Sequence, residues 1–306
     1  MSRFLVTGAS GLLGLHFAWQ AAGNAEVTGV VNHHTLAGVP FQTMAVDLAQ
    51  PGAGKLLLED TQPDILVHCA AMANVDVCDR QPELAQRMNA ELPGELAEAA
   101  AEMGIKMLHI STDAVFNGIS GDYSEDDLPD PLSVYAKTKL QGEQAVVATN
   151  SEALIARVNF FGWSISGSRS LAEWFVTSLS AGKQVNGFTD IFFCPLEVTR
   201  LCSILMEMLD AGLSGVYHVV SSEKLSKYDF GTRLAAAFGL DRSLINPVSW
   251  RAGGLVAARS PLLTLRTNKV SKALDKEMSG IQEGIDRFFK AYQEGWPQQI
   301  RQLAVD

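Results

Sequence analysis

Short apolar runs alternate with longer segments of helical spacing through the first half of the chain. The strand-like runs are residues 4–7, 26–31, 41–46, 65–70, 107–110 and 154–158. The segments with helical spacing are residues 11–23, 82–103 and 133–147. Runs this short and this apolar are typical of parallel strands that are covered on both faces. Strands that alternate with helices form right-handed βαβ units, so the pattern predicts an α/β protein with a doubly wound parallel sheet.

After residue 161 the alternation becomes less regular. Residues 162–170 are rich in glycine and serine, and residues 187–195 look irregular and aromatic. Helices are predicted at residues 171–181, 198–209, 227–238 and 281–292, and a further strand at residues 216–220. We therefore expect a sheet domain over residues 1–161 and a smaller C-terminal α/β lobe over residues 162–306. Residues 196–222 are expected to return from the lobe to the sheet domain.

Composition and charge exclude several classes of protein. The chain has 306 residues, of which 47% are hydrophobic, and this apolar content argues against disorder. Lysine and arginine total 24 against 34 aspartate and glutamate, a net charge of −10, so no nucleic-acid partner is expected. No apolar run reaches the ~18 residues that a membrane-spanning helix needs, and the start lacks the features of a signal peptide. We therefore expect a cytoplasmic protein with no membrane partner.

The four cysteines, Cys69, Cys78, Cys194 and Cys202, stand apart, with no Cys-x-x-Cys pair and no histidines at ligand spacing. In a chain of this length such a pattern indicates reduced thiols rather than a disulfide framework. The same spacing argues against a zinc site, so no metal site is predicted.

A glycine-rich turn, TGASGLLG at residues 7–14, follows the first strand and begins the first helix. Gly8 permits the tight turn, Gly11 lets the backbone approach a pyrophosphate, and Gly14 allows the helix to pack closely on the strand. The helix N-terminus adds unpaired N–H groups and the positive end of the helix dipole. An ordinary βα turn is the alternative, but the strand–turn–helix context favours dinucleotide binding in a Rossmann fold.

The end of the second strand leaves the choice of nicotinamide cofactor open. Asn32 and His33 stand where an acid would bind a ribose hydroxyl or an arginine would hold a 2′-phosphate. The missing carboxylate removes a charge that would repel that phosphate, so NADP(H) is slightly favoured and NAD(H) stays open. Asp47, after the third strand, is either an acceptor for the adenine amino group or a turn residue.

A Tyr–Lys pair is the candidate for proton transfer. Tyr135 and Lys139 are four residues apart on a predicted helix, so they share one face with Cβ atoms ~5–6 Å apart. A phenol of pKa ~10 exchanges protons poorly at neutral pH, and a nearby ammonium and a cationic nicotinamide ring would lower that pKa. Thr112, at the end of the strand before, offers a hydroxyl to the same carbonyl oxygen. The set predicts a proton donor to a ketone that receives hydride, with an exposed pair of no function as the alternative.

Further segments match a known family. They are HCAA at residues 68–71, NVDVCDRQPELAQRMNAELPGELA at 74–97, HISTDAVFNG at 109–118, YSEDDLPDP at 123–131 and YAKTKLQGE at 135–143. With TGASGLLG, they resemble the extended short-chain dehydrogenase/reductase superfamily and, within it, most closely the dTDP-4-dehydrorhamnose reductase family. The resemblance weakens towards the C-terminus, where residues 215–240 are similar to the family's substrate-binding lobe. It implies an NAD(P)H-dependent reductase of a nucleotide-linked 4-keto-6-deoxy sugar.

The resemblance implies roles for matching positions. Tyr135 would be the general acid, Lys139 would bind the nicotinamide ribose and lower the pKa of the tyrosine, and Thr112 with Asp113 would orient the keto sugar. Arg259 would approach the sugar nucleotide, although such an arginine is as often a solvated surface residue. The predicted cofactor-binding residues, from the glycine turn and the resemblance together, are Gly8, Ser10, Gly11, Leu12, Leu13, Gly14, Asn32, His33, Asp47, Leu48, Cys69, Ala70, Ala71, Ser111, Tyr135, Lys139, Asn159 and Phe160. The predicted substrate-binding residues are Asn74, Thr112, Asp113, Val115, Tyr135 and Arg259.

Two departures from the family pattern lie on the substrate side. Residues 192–196 (FFCPL) replace a stretch that resembles Gly-Ser-Pro-Thr in the family, and Arg266 stands where an aspartate is common. They leave open another sugar or another reaction of the superfamily, such as epimerisation. The chain also resembles the regulatory beta subunit of methionine adenosyltransferase, which makes a non-catalytic NADP-binding subunit the rival from another class. A homodimer through the helices at residues 82–103 and 133–147 stays open.

Overall fold

The protein is described by a computed structural model that covers residues 1–32, 35–251 and 260–305, and within these residues a seven-stranded parallel sheet forms the centre. The strands are β1 (Arg3–Thr7), β2 (Glu26–Val31), β3 (Thr35–Leu36), β4 (Gln42–Ala45), β5 (Ile65–His68), β6 (Lys106–Thr112), β7 (Leu154–Val158), β8 (Phe160–Phe161), β9 (Val185–Phe188), β10 (Phe192–Phe193), β11 (Leu196–Glu197), β12 (Gly215–Val219), β13 (Leu225–Ser226), β14 (Ile245–Val248), β15 (Leu262–Leu263) and β16 (Ala304–Val305). The helices are α1 (Leu12–Ala21), α2 (Ala53–Thr61), α3 (Val75–Arg80), α4 (Pro82–Gln86), α5 (Leu92–Glu102), α6 (Val134–Thr149), α7 (Leu171–Ser180), α8 (Val198–Asp210), α9 (Lys227–Ala237), α10 (Asn268–Leu274), α11 (Ile281–Gln293) and α12 (Trp296–Arg301).

The order of strands in the central sheet is β12-β7-β6-β5-β1-β2-β4, and all the pairings in it are parallel. The chain therefore winds outwards from β1 through β2 to β4, returns to β5, and winds the other way to β12. This reversal leaves a crevice at the carboxyl ends of β1 and β5, where doubly wound sheets bind their ligands. The predicted α/β fold with a doubly wound Rossmann sheet is confirmed.

Successive side chains of the central strands enter different cores. Leu5 and Leu66 pack with α2 and α5 on one face, whereas Val6 and Val67 pack with α1 and α8 on the other. All four side chains are fully buried. Because side chains alternate across a strand, covering both faces requires every position to be apolar. This explains the unbroken hydrophobic runs in the sequence.

Much of the second half of the chain packs around aromatic side chains, and this part of the molecule is called the lobe below. Trp163 stacks on Phe288 with ring centroids 4.0 Å apart and donates its Nε1–H to the Phe288 carbonyl at 3.0 Å. Helices α7, α9 and α11 contribute to this core, which also contains Leu15 of α1 and Ile300 of α12. Within the segment 196–222, α8 packs on the sheet and β12 pairs with β7. The boundary at residues 161 and 162 between the two domains stays a prediction.

Two predicted elements differ from the structure. Residues 187–195, expected to be irregular, contain the end of β9 and the whole of β10, because β9 pairs with β14 and β10 with β13 and β15. The partners of strands this short lie in distant segments of the chain, so the sequence around them shows no regular alternation of polar and apolar residues. The helix predicted at residues 82–103 is divided into α4, a π-helical turn at Arg87–Glu91, and α5.

Pro93 accounts for the division of that helix. It has no N–H to donate to the carbonyl of Asn89, four residues before it. The side chain of Asn89, which lies in the π-helical turn, accepts a hydrogen bond from Met72 N at 2.8 Å and donates one to Met72 O at 3.0 Å. The turn therefore holds the segment that follows β5, beside the crevice.

In the part of the chain that the structure describes, no helix is both long and apolar enough to cross a membrane.

Candidate active site

Two cavities lined by described residues meet at the carboxyl edge of the central sheet. The first, of about 520 Å³, lies along the glycine turn and the ends of β1, β2, β5 and β6. The second, of about 510 Å³, lies between that edge and the lobe. Both are lined by Thr112, Asp113, Tyr135 and Asn159. A ligand in either cavity therefore reaches the same polar groups.

The glycine turn brings backbone to places that side chains would fill. Gly8 has a φ of +69°, and a Cβ there would lie 2.8 Å from Ala70 N. A Cβ on Gly14 would collide with the carbonyl oxygen of Gly8. The turn closes with a hydrogen bond from Gly11 N to Gly8 O at 2.8 Å. Gly8 thus lets the turn approach the end of β5 closely, and Gly14 lets the first helix begin directly against the turn.

The N-terminus of α1 suits a phosphate group. Its first turn is uncharged, and its cap residue, Gly11, provides no side-chain oxygen to the N–H groups of Leu12 and Leu13. Unpaired N–H groups at a helix N-terminus, with the positive end of the helix dipole, bind anions. Gly11, Leu12 and Leu13 all line the first cavity. Backbone, shape and charge therefore fit the pyrophosphate of a dinucleotide.

The end of β2 offers an uncharged side chain. Asn32 is exposed and lines the first cavity, whereas His33 lies outside the described residues. Asp47 does not line it: its carboxylate accepts from Ala49 N at 3.1 Å and from Gln50 Nε2 at 2.8 Å. Of the two alternatives for Asp47, the structure favours the turn residue over the adenine acceptor.

Tyr135 lies in the first turn of α6, which Ser133 caps by accepting from Ala136 N at 3.2 Å. Burial raises the pKa of Tyr135 to about 12, and a hydrogen bond with Thr112 acts in the opposite direction. Among the protein's own groups, desolvation of the phenolate outweighs the hydrogen bond, and the lowering by Lys139 together with a cationic nicotinamide ring stays a prediction. The phenol is protonated at neutral pH and can act as a proton donor.

Lys139 lies one turn further along α6 and is buried. Its Nζ donates to the carbonyl oxygen of Ile110 at 2.7 Å and lies 3.4 Å from Nε2 of His109. Burial lowers the pKa of Lys139 to about 8, although the charge of Glu143 acts to raise it. Lys139 also lines the first cavity, so its ammonium is held between the strand end and the space for a ligand.

Asp113 stands at the junction of the two cavities. Its carboxylate accepts from Asn159 Nδ2 at 2.5 Å and from Thr112 Oγ1 at 3.1 Å, and the side chain is buried. Burial raises the pKa of Asp113 to about 6 against these hydrogen bonds. Thr112 is itself fixed, because its Oγ1 accepts from Ala114 N at 3.1 Å.

A buried ion pair supports α6, the helix that carries Tyr135 and Lys139. Glu143 accepts from Ser111 and forms a 2.8 Å ion pair with Arg157 on β7, with both side chains almost fully buried. The Arg157 guanidinium also lies 5.2 Å from the ring centroid of Phe116. Removing one partner of such a pair leaves a buried charge uncompensated, at a cost of about 3–5 kcal/mol. The pair therefore ties α6 to the sheet one turn beyond Lys139.

The structure brings most of the predicted site residues together. Of the predicted cofactor residues, those that line the first cavity are Gly8, Ser10, Gly11, Leu12, Leu13, Gly14, Asn32, Leu48, Cys69, Ala70, Ala71, Ser111, Tyr135, Lys139, Asn159 and Phe160. Asn74 lines the second cavity, together with the shared residues Thr112, Asp113 and Tyr135. Val115 is a correction: it is fully buried in a hydrophobic cluster with Phe116 and Tyr123 and lines neither cavity. Arg259 lies outside the described residues.

Sequence reasoning missed several residues of the site. Arg169 lines the first cavity, and Lys227 and Phe192 line the second. The capping box of Ser170 and Glu173 places Arg169 just before a helix, but it gives no sign that the arginine lines a cavity. Lys227 and Phe192 reach the site only through the pairing of β10 with β13. Within the described residues, no group of three or more side chains is placed to hold a metal ion.

This fold and this site define an extended short-chain dehydrogenase/reductase. A sequence model of the family described as "RmlD substrate binding domain" matches residues 2–294. The chain therefore belongs to this family, and the resemblance to the dTDP-4-dehydrorhamnose reductases is confirmed.

Three known proteins illustrate the relationship. "Probable low-salt glycan biosynthesis reductase Agl14" of Haloferax volcanii is 35% identical over 246 residues, which cover 78% of this chain and 81% of the relative. Methionine adenosyltransferase 2 subunit beta of Xenopus laevis is 33% identical over 258 residues, covering 81% of this chain and 75% of the relative. The crystal structure of a dTDP-4-dehydrorhamnose reductase from Clostridium acetobutylicum superposes with a TM-score of 0.84 at 26% identity, covering 95% of this chain and 99% of the other. The proteins similar to this chain thus include named reductases and a subunit of another enzyme.

Proposed function

We propose that this protein is an NAD(P)H-dependent reductase of the 4-keto group of a nucleotide-linked 4-keto-6-deoxy sugar. The observation that carries the proposal is the junction of the two cavities. Thr112 and Tyr135 face both the cavity of the glycine turn and the cavity against the lobe. A dinucleotide in the first and a sugar in the second would meet at these two hydroxyl groups.

The protein's own residues account for the proton and for orientation. Tyr135, protonated at neutral pH, donates its phenolic proton to the carbonyl oxygen, as a general acid does. Thr112 would turn its hydroxyl hydrogen from Asp113 to the same oxygen and hold it in line, while Lys139 would hold the ribose. When bound, the reduced nicotinamide supplies the hydride. Fixing these groups in one geometry lowers the entropic part of the barrier.

NADP(H) is the favoured cofactor in this proposal. The end of β2 carries Asn32, so no carboxylate at that described position would repel a 2′-phosphate. NAD(H) is the alternative, and binding constants for the two measured side by side decide between them. The cytoplasmic location and the homodimer remain predictions.

The decisive experiment is the decay of nicotinamide absorbance with a dTDP-4-keto-6-deoxy sugar made in situ. We expect oxidation of NADPH that depends on the sugar and that falls by about 10²–10⁴-fold in Tyr135→Phe. Dinucleotide affinity should stay within about twofold of wild type, because the phenol oxygen is one contact among many. Tyr292→Phe, on the exposed end of α11, is the matched control and should be fully active. Full turnover in Tyr135→Phe would refute the role of Tyr135.

Regulation of another enzyme is the second candidate function. It is favoured by the likeness to the methionine adenosyltransferase subunit, which covers 81% of this chain. In that case a stoichiometric, larger partner should co-purify with the protein. Tight dinucleotide binding without oxidation of any keto sugar tested, together with such a partner, would replace the reductase proposal.

A further inference from the structure

The loop between β8 and α7 carries an arginine into the first cavity. Arg169 is exposed and lines that cavity, but it does not line the second. We propose that Arg169 binds the pyrophosphate of the dinucleotide and holds it against the N-terminus of α1. This inference rests on the proposed function, because it requires a dinucleotide in the first cavity.

The backbone of Arg169 is held in place by a buried carboxylate. Glu173 is fully buried and accepts from the N–H groups of Ser164 at 2.6 Å, Arg169 at 3.0 Å and Ser170 at 3.1 Å. The Ser170 hydroxyl accepts in turn from Glu173 N at 3.2 Å. Hydrogen bonds to a buried charged group are short and strong, so the loop has one defined path. The Arg169 side chain thus extends into the cavity from a fixed point.

The loop lies beside the part of the cavity that suits phosphate. Ser170 Oγ donates to the carbonyl of Gly162 at 2.8 Å, and a Cβ on Gly162 would lie 3.4 Å from Cδ1 of Leu12. Leu12 is the first residue of α1, where unpaired N–H groups point at a ligand. The base of the loop therefore adjoins the pyrophosphate end of the cavity, which favours this group over a 2′-phosphate near Asn32.

The charged residues of the first cavity favour Arg169 as the one that binds the phosphates. Among the described residues that line it, the charged side chains are Asp113, Lys139 and Arg169. Lys139 is buried and donates to Ile110 O, and Asp113 is an acid that accepts from Asn159. A pyrophosphate is an anion at neutral pH, and the planar guanidinium matches its oxygens with two parallel N–H groups. Because Arg169 belongs to the lobe and α1 to the sheet, the dinucleotide would join the two parts.

The test is direct binding of NADPH, NADH and ADP-ribose to the full chain, measured by calorimetry. All three carry the pyrophosphate, and NADPH alone carries the 2′-phosphate. In Arg169→Gln we expect Kd to rise about tenfold for each of them, as for the loss of one charge-assisted contact. Arg169→Lys should recover part of the affinity. Arg242→Gln, which removes an exposed arginine of the same lobe that lines neither cavity, should bind as wild type does.

Each other outcome decides the question. A loss confined to NADPH would assign Arg169 to the 2′-phosphate and overturn the proposal, and unchanged binding of all three would also overturn it. Failure of the wild-type protein to bind any of the three would instead refute the proposed function. Thermal unfolding of each variant shows whether the loop still folds. If Arg169→Gln unfolds at a lower temperature than wild type, the Kd values of Arg169→Lys are compared with those of wild type instead.

Discussion

The two cavities at the sheet edge are built in different ways. The first is lined mainly by segments that meet at one sheet edge: the glycine turn, the N-terminus of α1 and the ends of adjacent parallel strands. The second is walled by side chains from segments far apart in the chain, among them Asn74, Phe192, Lys227 and Leu263. A ligand group recognised by backbone is encoded in a short motif, whereas recognition by side chains depends on how distant segments pack. The comparison predicts that the two cavities respond differently to substitution.

The largest effect is expected where backbone approaches backbone. Gly14→Ala places a Cβ against the carbonyl oxygen of Gly8, so either the turn or α1 must move. We expect the Kd for NADPH to rise by about 100-fold or more, because the N–H groups of α1 leave their position. Gly23→Ala, just after the same helix, is the control, since its Cβ would lie 3.4 Å from the nearest atom. Equal affinities in the two variants would contradict a first cavity shaped by the glycine turn.

An intermediate effect is expected at the junction. Burial raises the pKa of Asp113 from 3.8 to about 6, so the folded protein binds this proton more tightly than the unfolded chain does. The stability that Asp113 contributes is therefore present below about pH 4 and is lost as the pH rises to about 6. Asp113→Asn should raise the free energy of unfolding near neutral pH by about 1–3 kcal/mol and lower turnover.

Denaturant unfolding across this pH range tests the prediction for Asp113. The difference between variant and wild type should vanish near the acid end of the range, where both side chains are uncharged. Asp126→Asn, in an exposed loop, should leave stability unchanged throughout. A variant that is no more stable than wild type near neutral pH would show that the Asp113 carboxylate is well solvated in the folded protein.

The smallest effect is expected on the substrate side. Phe192→Ala removes an aromatic wall of the second cavity and leaves the first intact. We expect KM for the sugar nucleotide to rise about tenfold, the order of a lost aromatic contact, with the Kd for NADPH unchanged. Phe289→Ala is the matched control, because Phe289 packs on Phe238 in the lobe and lines neither cavity. A change in NADPH affinity in Phe192→Ala would mean that the two cavities are not independent.

The sheet and the first cavity were largely predictable. β1, β2 and β7 lie where the apolar runs place them, or begin one residue earlier, and the residues of the glycine turn line the cavity as predicted. These features depend on local chemistry: a strand buried on both faces must be apolar, and a turn that approaches a phosphate must lack Cβ atoms. The Tyr135–Lys139 pair was predictable for the same reason, because both residues lie within about one turn of α6.

Other features of the site depended on contacts that no local pattern contains. Burial in the fold raises the pKa of Tyr135, an effect that the spacing of Tyr135 and Lys139 does not show. Val115 has the same apolar character as a residue that lines a cavity, yet it packs into a core cluster. Arg169 and Lys227 stood in segments that looked like a loop and an ordinary helix start.

By itself the sequence determined the class of fold, the strand–turn–helix that suits a dinucleotide and the Tyr–Lys pair, because each depends on residues within a few turns of one another. Tertiary structure alone decided which distant side chains meet there: Asp113 with Asn159, and Glu143 with Arg157. It also brought Arg169 to the cavity that the first turn of α1 lines. It also decided the direction in which the pKa values of Tyr135, Lys139 and Asp113 are shifted. The reason is that desolvation and ion pairing depend on the whole surrounding of a group, which only the folded chain provides.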